Sequence, residues 1–296
     1  MQRDWESKFR EWAKPPGTTE ESRCVNALSA IRNAIDASDK LKSRNIKVFC
    51  QGSYRNNTNV RKDSDIDVGV LCKDSFFYDL PPEHTETSLR ISPATYLFPQ
   101  FKNEVEEALT SYFGKSAVTR GNKAFDLHET SYHVDADIAP FFEHRRYLAS
   151  GNYLEGVELR TDNGDRRIKN WPEQHYQNGV QKNKDTRARY KGIVRVLKAL
   201  SNEMTETNIQ AGNIPGFLNE CLVWNIPNSL FQNPTYAEDL RSALVFLYQN
   251  TESDESCKEW GEVSELIYLF HPGQKWTRAQ VNDFIVSAWS YAKFEV

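Results

Sequence analysis

CQGSYRNNTNVRKDSDIDVGV, residues 50–70, joins a Gly-Ser pair to two aspartates separated by one apolar residue. The flanking runs IKVFCQG and IDVGVLC read as strands, and the polar YRNNTN between them reads as an exposed turn. Side chains alternate across a strand, so Asp65 and Asp67 project on one side about 6.6 Å apart at Cα, while Ile66 and Val68 face the core. Two such carboxylates can converge on one divalent ion or bridge two ions about 3.5–4 Å apart. Gly52 lets backbone approach an anion closely, and Ser53 adds a hydroxyl beside free N–H groups, so the bend suits phosphate.

A second strand repeats the pattern. In HVDADIAP, Val134, Ala136 and Ile138 form one face and Asp135 and Asp137 the other. Three convergent carboxylates with no thiol or imidazole partner favour magnesium or manganese over zinc. Phosphate cradle and metal ligands together are what phosphoryl or nucleotidyl transfer requires. A lone Asp-x-Asp is usually a solvated strand end and a Gly-Ser turn is ordinary; their conjunction with a second aspartate-bearing strand carries the catalytic reading.

The rest of the chain bounds this reading. Its 296 residues carry 37 basic and 41 acidic side chains, a net charge of −4, which provides no global field for a large nucleic acid. Five scattered cysteines, Cys24, Cys50, Cys72, Cys221 and Cys257, lack zinc-site spacing and fit a reducing compartment. MQRDWESKFREW is charged throughout and no apolar run reaches membrane-spanning length, so the expectation is an untargeted cytoplasmic protein. The histidines have no metal-ligand spacing and read as surface or satisfied core residues, and the C-terminal aromatics read chiefly as core.

The pattern divides the chain near residue 160. Residues 3–13 and 18–42 form an N-terminal helical arm, the second stretch with Val25, Leu28, Ile31, Ile35 and Leu41 at helical spacing. PQFKNEVEEALTSYFG fits a helix stopping at Gly114; KAFDLHE and SYHVDADIAPFF read as a strand pair closed off by the charged HRR. After a polar stretch at 161–183 the spacing becomes helical, in YKGIVRVLKAL, FLNECLVWNI, YAEDLRSALVFLYQ, VSELIYLF and VNDFIVSAWSYA. The fold class is α+β: arm and mixed-sheet core over 1–160, helical domain over 161–296.

The Gly-Ser bend, Asp-x-Asp and later strand aspartate resemble the signature of the DNA polymerase β-like nucleotidyltransferases. QGSYRNNTNVRKDSDIDVGV is more closely similar to the bacterial CD-NTases, relatives of cGAS and oligoadenylate synthase, and within them to the CdnE-like clade. Asn57 stands where much of the superfamily has glycine, a departure shared with that clade. The resemblance covers most of the chain and implies a polymerase β-like core with an oligoadenylate-synthase-like helical domain. It implies Gln51, Gly52 and Ser53 at the phosphates, and Asp65, Asp67 and Asp137 holding Mg²⁺ or Mn²⁺. The D-I-A-P context favours Asp137 over Asp135, which strand periodicity alone does not separate.

YKGIVRVLKAL resembles the family's basic helix beside the triphosphate. Lys191, Arg195 and Lys198 share one face, and the general alternative is a merely solvated face. NWPEQH resembles the segment near the nucleobase; the Asn170 amide offers both donor and acceptor to a pyrimidine edge, or else caps a turn before Pro172. The implied function is cyclic dinucleotide synthesis from nucleoside triphosphates, with uridine selectivity, in anti-phage signalling. Companion regulatory or effector proteins of the same defence system and a monomeric state go with it. Alternatives are a linear oligonucleotide synthase, a nucleotidyltransferase acting on tRNA or protein, or a nucleotide-binding sensor that no longer turns over.

Overall fold

The computed structural model describes residues 4–15, 17–60, 66–128, 135–164 and 166–294. In chain order the elements begin with α1 (Trp5–Trp12), α2 (Thr18–Asp36), β1 (Ile46–Cys50), α3 (Gly52–Asn56), β2 (Ile66–Asp79) and α4 (Phe98–Phe113). Strands β3 (Val118–Arg120), β4 (Phe125–Leu127), β5 (Ala136–Tyr147), β6 (Tyr153–Arg160) and β7 (Arg167–Asn170) follow. The helices α5 (Pro172–Asp185), α6 (Arg189–Glu206), α7 (Gly216–Trp224), α8 (Tyr236–Thr251), α9 (Asp254–Cys257) and α10 (Arg278–Tyr291) complete the chain. Two compact units result: Gly17–Tyr54 with Ser64–Pro172, and Met1–Pro16 with Arg55–Asp63 and Glu173–Val296.

The first unit is built on a mixed sheet in the order β1-β2-β5-β4-β3, extended by β6 on β5 and β7 on β6. Strand β2 runs antiparallel to β1 and parallel to β5, and the other pairs are antiparallel. The apolar runs of β2 and β5 reflect burial on both faces, as befits central strands. Helices α2 and α4 contribute Ile31, Ile35, Phe101, Val105 and Leu109 to the same core as Val68, Val70, Ile138 and Phe142. Helix α4 starts with proline in its first turn and stops at Gly114, whose φ of +95° is the conformation glycine takes without steric cost. Leu41 is buried beyond the end of α2, and Val25 points outward because Ala27, Ala30 and Ala34 supply the buried stripe instead.

The charged HRR does not close the second strand of the predicted pair. His144, Arg145 and Arg146 all lie inside β5. His144 is fully buried, with Nδ1 2.8 Å from Glu158 and Nε2 3.3 Å from Asp79. Burial opposes its charge, yet the two carboxylates raise its pKa overall. Arg145 pairs with Glu143 and stacks 3.8 Å above Phe76; Arg146 stacks 4.1 Å above Trp171. Strands β6 and β7 carry the sheet past the predicted boundary near 160, because β6 pairs with β5 over Phe142–Tyr147 and β7 pairs with β6.

In the helical unit α6 is the central helix, with Tyr190, Ile193, Val194, Val196, Leu197 and Leu200 buried among α7, α8 and α10. Helices α8 and α10 open with capping boxes, Thr235 with Glu238 and Thr277 with Gln280. Helix α1 belongs to this unit: Phe9 is fully buried in its core, flanked by Trp5 and Trp12, and Lys8 pairs with Glu203. VSELIYLF is not a helix. Glu265 takes a left-handed φ of +60° and Gly261 bridges to Tyr268, so the segment folds back on itself and buries Val263 and Leu269 without helical pairing. Among the described residues no helix is long and apolar enough to cross a membrane.

Candidate active site

Strand alternation places the carboxylates as expected where the residues are described. Ile66 and Val68 are buried at 2% and 0% exposure, and Asp67 between them is half-buried. Ala136 and Ile138 are buried while Asp135 and Asp137 are exposed. The parallel register sets Asp67 directly opposite Asp137, with Asp135 outside that pair, its carbonyl accepting from the Ile66 N–H. Adjacent strands are about 4.8 Å apart, so the two carboxylates are immediate neighbours on one face. Asp65 lies outside the described residues, as do Val134 and His133.

The next strand adds a carboxylate that the sequence reading passed over. Asp126 on β4 is the register partner of Asp137, flanked by fully buried Phe125 and nearly buried Leu127. The alternation Phe125-Asp126-Leu127 was the signal, since it sends Asp126 to the same side as Asp137. Asp67, Asp137 and Asp126 therefore stand abreast on three neighbouring strands. Like charges at opposed positions cost stability, a cost that a bound cation removes.

The bend is fitted against this row. The Gln51 N–H donates to the Asp67 carbonyl at 2.9 Å, and Gly52 follows with φ +66° to open α3, in which Ser53 is half-buried. A Cβ on residue 52 would lie 2.0 Å from the Asp67 carboxylate oxygen. Only glycine satisfies both the backbone conformation and the close approach. Gly52→Ala should cut turnover about 100-fold, since displacing a reacting group by about 1 Å carries that cost; steady-state assay beside a melting curve checks it.

The following NNTN is not an exposed turn. Asn56, Thr58 and Asn59 are buried, and Asn57 alone is exposed, with φ +54°. Within the helical unit the Thr58 hydroxyl donates to Glu220 at 2.8 Å, His175 Nε2 lies 2.9 Å from the other Glu220 oxygen, and Lys198 Nζ is 3.9 Å from the carboxylate. Burial pushes the Glu220 carboxyl up, but His175, Lys198 and Thr58 together hold it down at about 2. An acidic residue inside the apolar FLNECLVW was the sequence signal for a buried ion site.

The basic face of α6 is not solvated: Lys191, Arg195 and Lys198 are 8%, 6% and 5% exposed. Arg195 spends its guanidinium on the Ala13 and Asn57 carbonyls, and burial pushes its pKa down to about 10, so it stays cationic at neutral pH. Lys198 faces Thr58 and Glu220. Lys191, whose pKa burial lowers, stands 5.8 Å from the Tyr176 ring, which also carries Arg55 at 4.8 Å. These groups lie in the helical unit, whereas Gln51, Gly52, Ser53, Asp67, Asp137 and Asn170 lie in the sheet unit. Asn170 is the exposed last residue of β7, paired with Val157 and anchored by its buried neighbour Trp171.

Both the sheet unit and the helical unit have counterparts in known families. A nucleotidyltransferase domain family matches residues 31–124, and the cGAS/DncV-like nucleotidyltransferase C-terminal helical domain matches residues 177–293. The cyclic dipyrimidine nucleotide synthase CdnE of Cecembia lonarensis is 42% identical over 98% of both chains. The chain belongs to the CdnE cyclic nucleotide synthases. The CdnE cyclic dipyrimidine nucleotide synthase of Legionella pneumophila is 41% identical over 98% of this chain and 99% of its own. The structure of Rhodothermus marinus CdnE c-UMP-AMP synthase with Apcpp and Upnpp superposes with a TM-score of 0.86 at 28% identity, over 98% of this chain and 97% of that one. The polymerase β-like core and helical C-terminal domain expected from the sequence are thus the CdnE fold, and the protein is a nucleotidyltransferase.

Among the described residues no three His, Cys, Asp or Glu side chains gather closely enough to hold an ion. The donors that are described fit a hard divalent cation in kind: Asp67 and Asp137 offer only carboxylate oxygen, on the face where Gly52 leaves room for it.

Proposed function

We propose that this CdnE enzyme joins two nucleoside triphosphates, at least one of them a pyrimidine nucleotide, into a cyclic dinucleotide at the face bearing Asp67 and Asp137. The observation that carries the reading is the direct register of these two aspartates beside the Gly52 backbone. Asp65, Asp67 and Asp137 would hold magnesium or manganese. A divalent cation bound there supplies charge neutralisation on the triphosphate and a lowered pKa for the attacking hydroxyl.

The chain's own groups do the positioning. The Gln51–Ser53 backbone and the Ser53 hydroxyl orient phosphate oxygens against the carboxylate row. An attacking 3′ or 2′ hydroxyl in line with the α-phosphate displaces pyrophosphate, and a second displacement closes the ring. Lys191 would offer positive charge to a triphosphate; Arg195 and Lys198 contribute by holding Asn57 and Thr58. The cyclic product would serve as a signal in anti-phage defence.

Pyrimidine choice rests on Asn170 and on the dipyrimidine products named for the two relatives above 40% identity. Its exposed amide can donate and accept at once along a pyrimidine edge. Incubating the protein with each labelled triphosphate and Mg²⁺, followed by phosphatase and mass spectrometry, should give a resistant cyclic product containing uridine or cytidine. A phosphatase-sensitive product would assign a linear synthase. Asn170→Ser should lower pyrimidine incorporation relative to purine by about tenfold, the worth of one hydrogen bond of about 1.4 kcal/mol, without changing total turnover as strongly.

A further inference from the structure

Two cysteines that the sequence left scattered come together beside the bend. Cys24 on α2 and Cys50 at the end of β1 have their sulfurs 2.9 Å apart, and both are half-buried. Cys50 is the register partner of Val68, the residue after Asp67, and is followed by Gln51 and Gly52. We propose that Cys24 and Cys50 are a reversible oxidation site, closing to a disulfide that pulls on the strand end carrying the Gly52–Ser53 bend and slows nucleotidyl transfer. The effect on turnover rests on the proposed role of that bend; the chemistry of the pair does not.

The sulfur separation must fall from 2.9 Å to roughly 2.05 Å, and both cysteines sit on backbone elements that pack together. The bend has no slack to absorb such a movement, since the Gln51 N–H bonds the Asp67 carbonyl and Gly52 lies against the Asp67 carboxylate. The other thiols are poor competitors. Cys72, Cys221 and Cys257 are buried, and burial raises all three, Cys72 to about 11. The Cys24 thiol, by contrast, is held below its ordinary pKa by its hydrogen bond with Cys50, which increases the thiolate available for attack.

With hydrogen peroxide as oxidant, the Cys24 thiolate attacks one peroxide oxygen, breaking the O–O bond and giving a sulfenic acid and hydroxide, which takes a proton to become water. The Cys50 sulfur then attacks the sulfenic sulfur, the S–S bond forms, and the sulfenic oxygen leaves as a second water. Two thiol protons and two electrons pass to the peroxide. A dithiol reverses the step by exchange.

The two cysteines fall on different tryptic peptides, CVNALSAIR (residues 24–32) and VFCQGSYR (residues 48–55), so a covalent pair of these peptides reports the bond directly. After brief peroxide treatment of the full chain and blocking of remaining thiols, the linked pair should appear. Turnover should fall about tenfold, dithiothreitol should restore it, and Cys24→Ser should keep its untreated turnover in peroxide. Absence of the linked pair from peroxide-treated protein would overturn the proposal, and so would a linked pair with unchanged turnover. If the reduced protein makes no product from triphosphates, the functional reading fails instead, while the peptide map still decides whether the two thiols form a bond.

Discussion

Asp67→Ala should abolish cyclic product, by at least about 10³-fold in turnover, while leaving the chain folded. The side chain is half-buried and turned away from the core that Ile66, Val68 and Val70 fill, so its removal opens no cavity there. A melting curve beside the assay checks that the fold survives. A second readout needs no turnover. Millimolar Mg²⁺ should raise the melting temperature of the wild type, by about 2–4 °C for each kcal/mol of binding, and should fail to do so for the variant. Retained synthesis by Asp67→Ala, or an equal Mg²⁺ shift in both proteins, would move the chemistry away from this face.

The largest loss of stability is expected from Glu220→Ala. Glu220 is 3% exposed, and its carboxylate answers His175, Thr58 and Lys198 together. Removing one partner of a buried ionic cluster strands the others, at a cost of about 3–5 kcal/mol, which urea unfolding measures. Thr58→Val should cost about 1–3 kcal/mol, because it removes one donor and leaves the charges matched. A pH series tests the same cluster. The folded pKa of Glu220 is depressed from 4.5 to about 2, so its contribution is fully present above pH 4.5 and is lost as pH falls toward 2. In Glu220→Gln that segment of the acid transition should flatten. A loss below about 1 kcal/mol on Glu220→Ala would mean that water replaces the cluster.

What the sequence disclosed followed from local periodicity. Alternation in IDVGV and DADIAP sorted aspartates from core residues, and the register between β2 and β5 then brought Asp67 and Asp137 together. Gly114 stopped its helix where the pattern required, and Lys191, Arg195 and Lys198 did share a helix. What stayed hidden depends on partners distant in the chain. Thr58 and Glu220 are 162 residues apart, so NNTN looked like a solvated turn when it is a buried anchor. His144 looked like part of a terminating charge cluster because Asp79 and Glu158 reach it only once the sheet has formed. VSELIYLF carries helical spacing, but the left-handed Glu265 overrides it, and no local rule foretells that.

Strand β5 is paired along both edges, with β2 on one side and β4 and β6 on the other, whereas β7 touches only β6 among the described strands. Asp137 thus inherits the stiffness of the sheet's middle, and Asn170 sits at its fringe. Under the function proposed above, such a layout would let base selection at Asn170 change at the margin without disturbing the strands that carry Asp67 and Asp137. It offers one physical reason why synthases sharing this scaffold can bear names for different cyclic products, dipyrimidine in one and c-UMP-AMP in another.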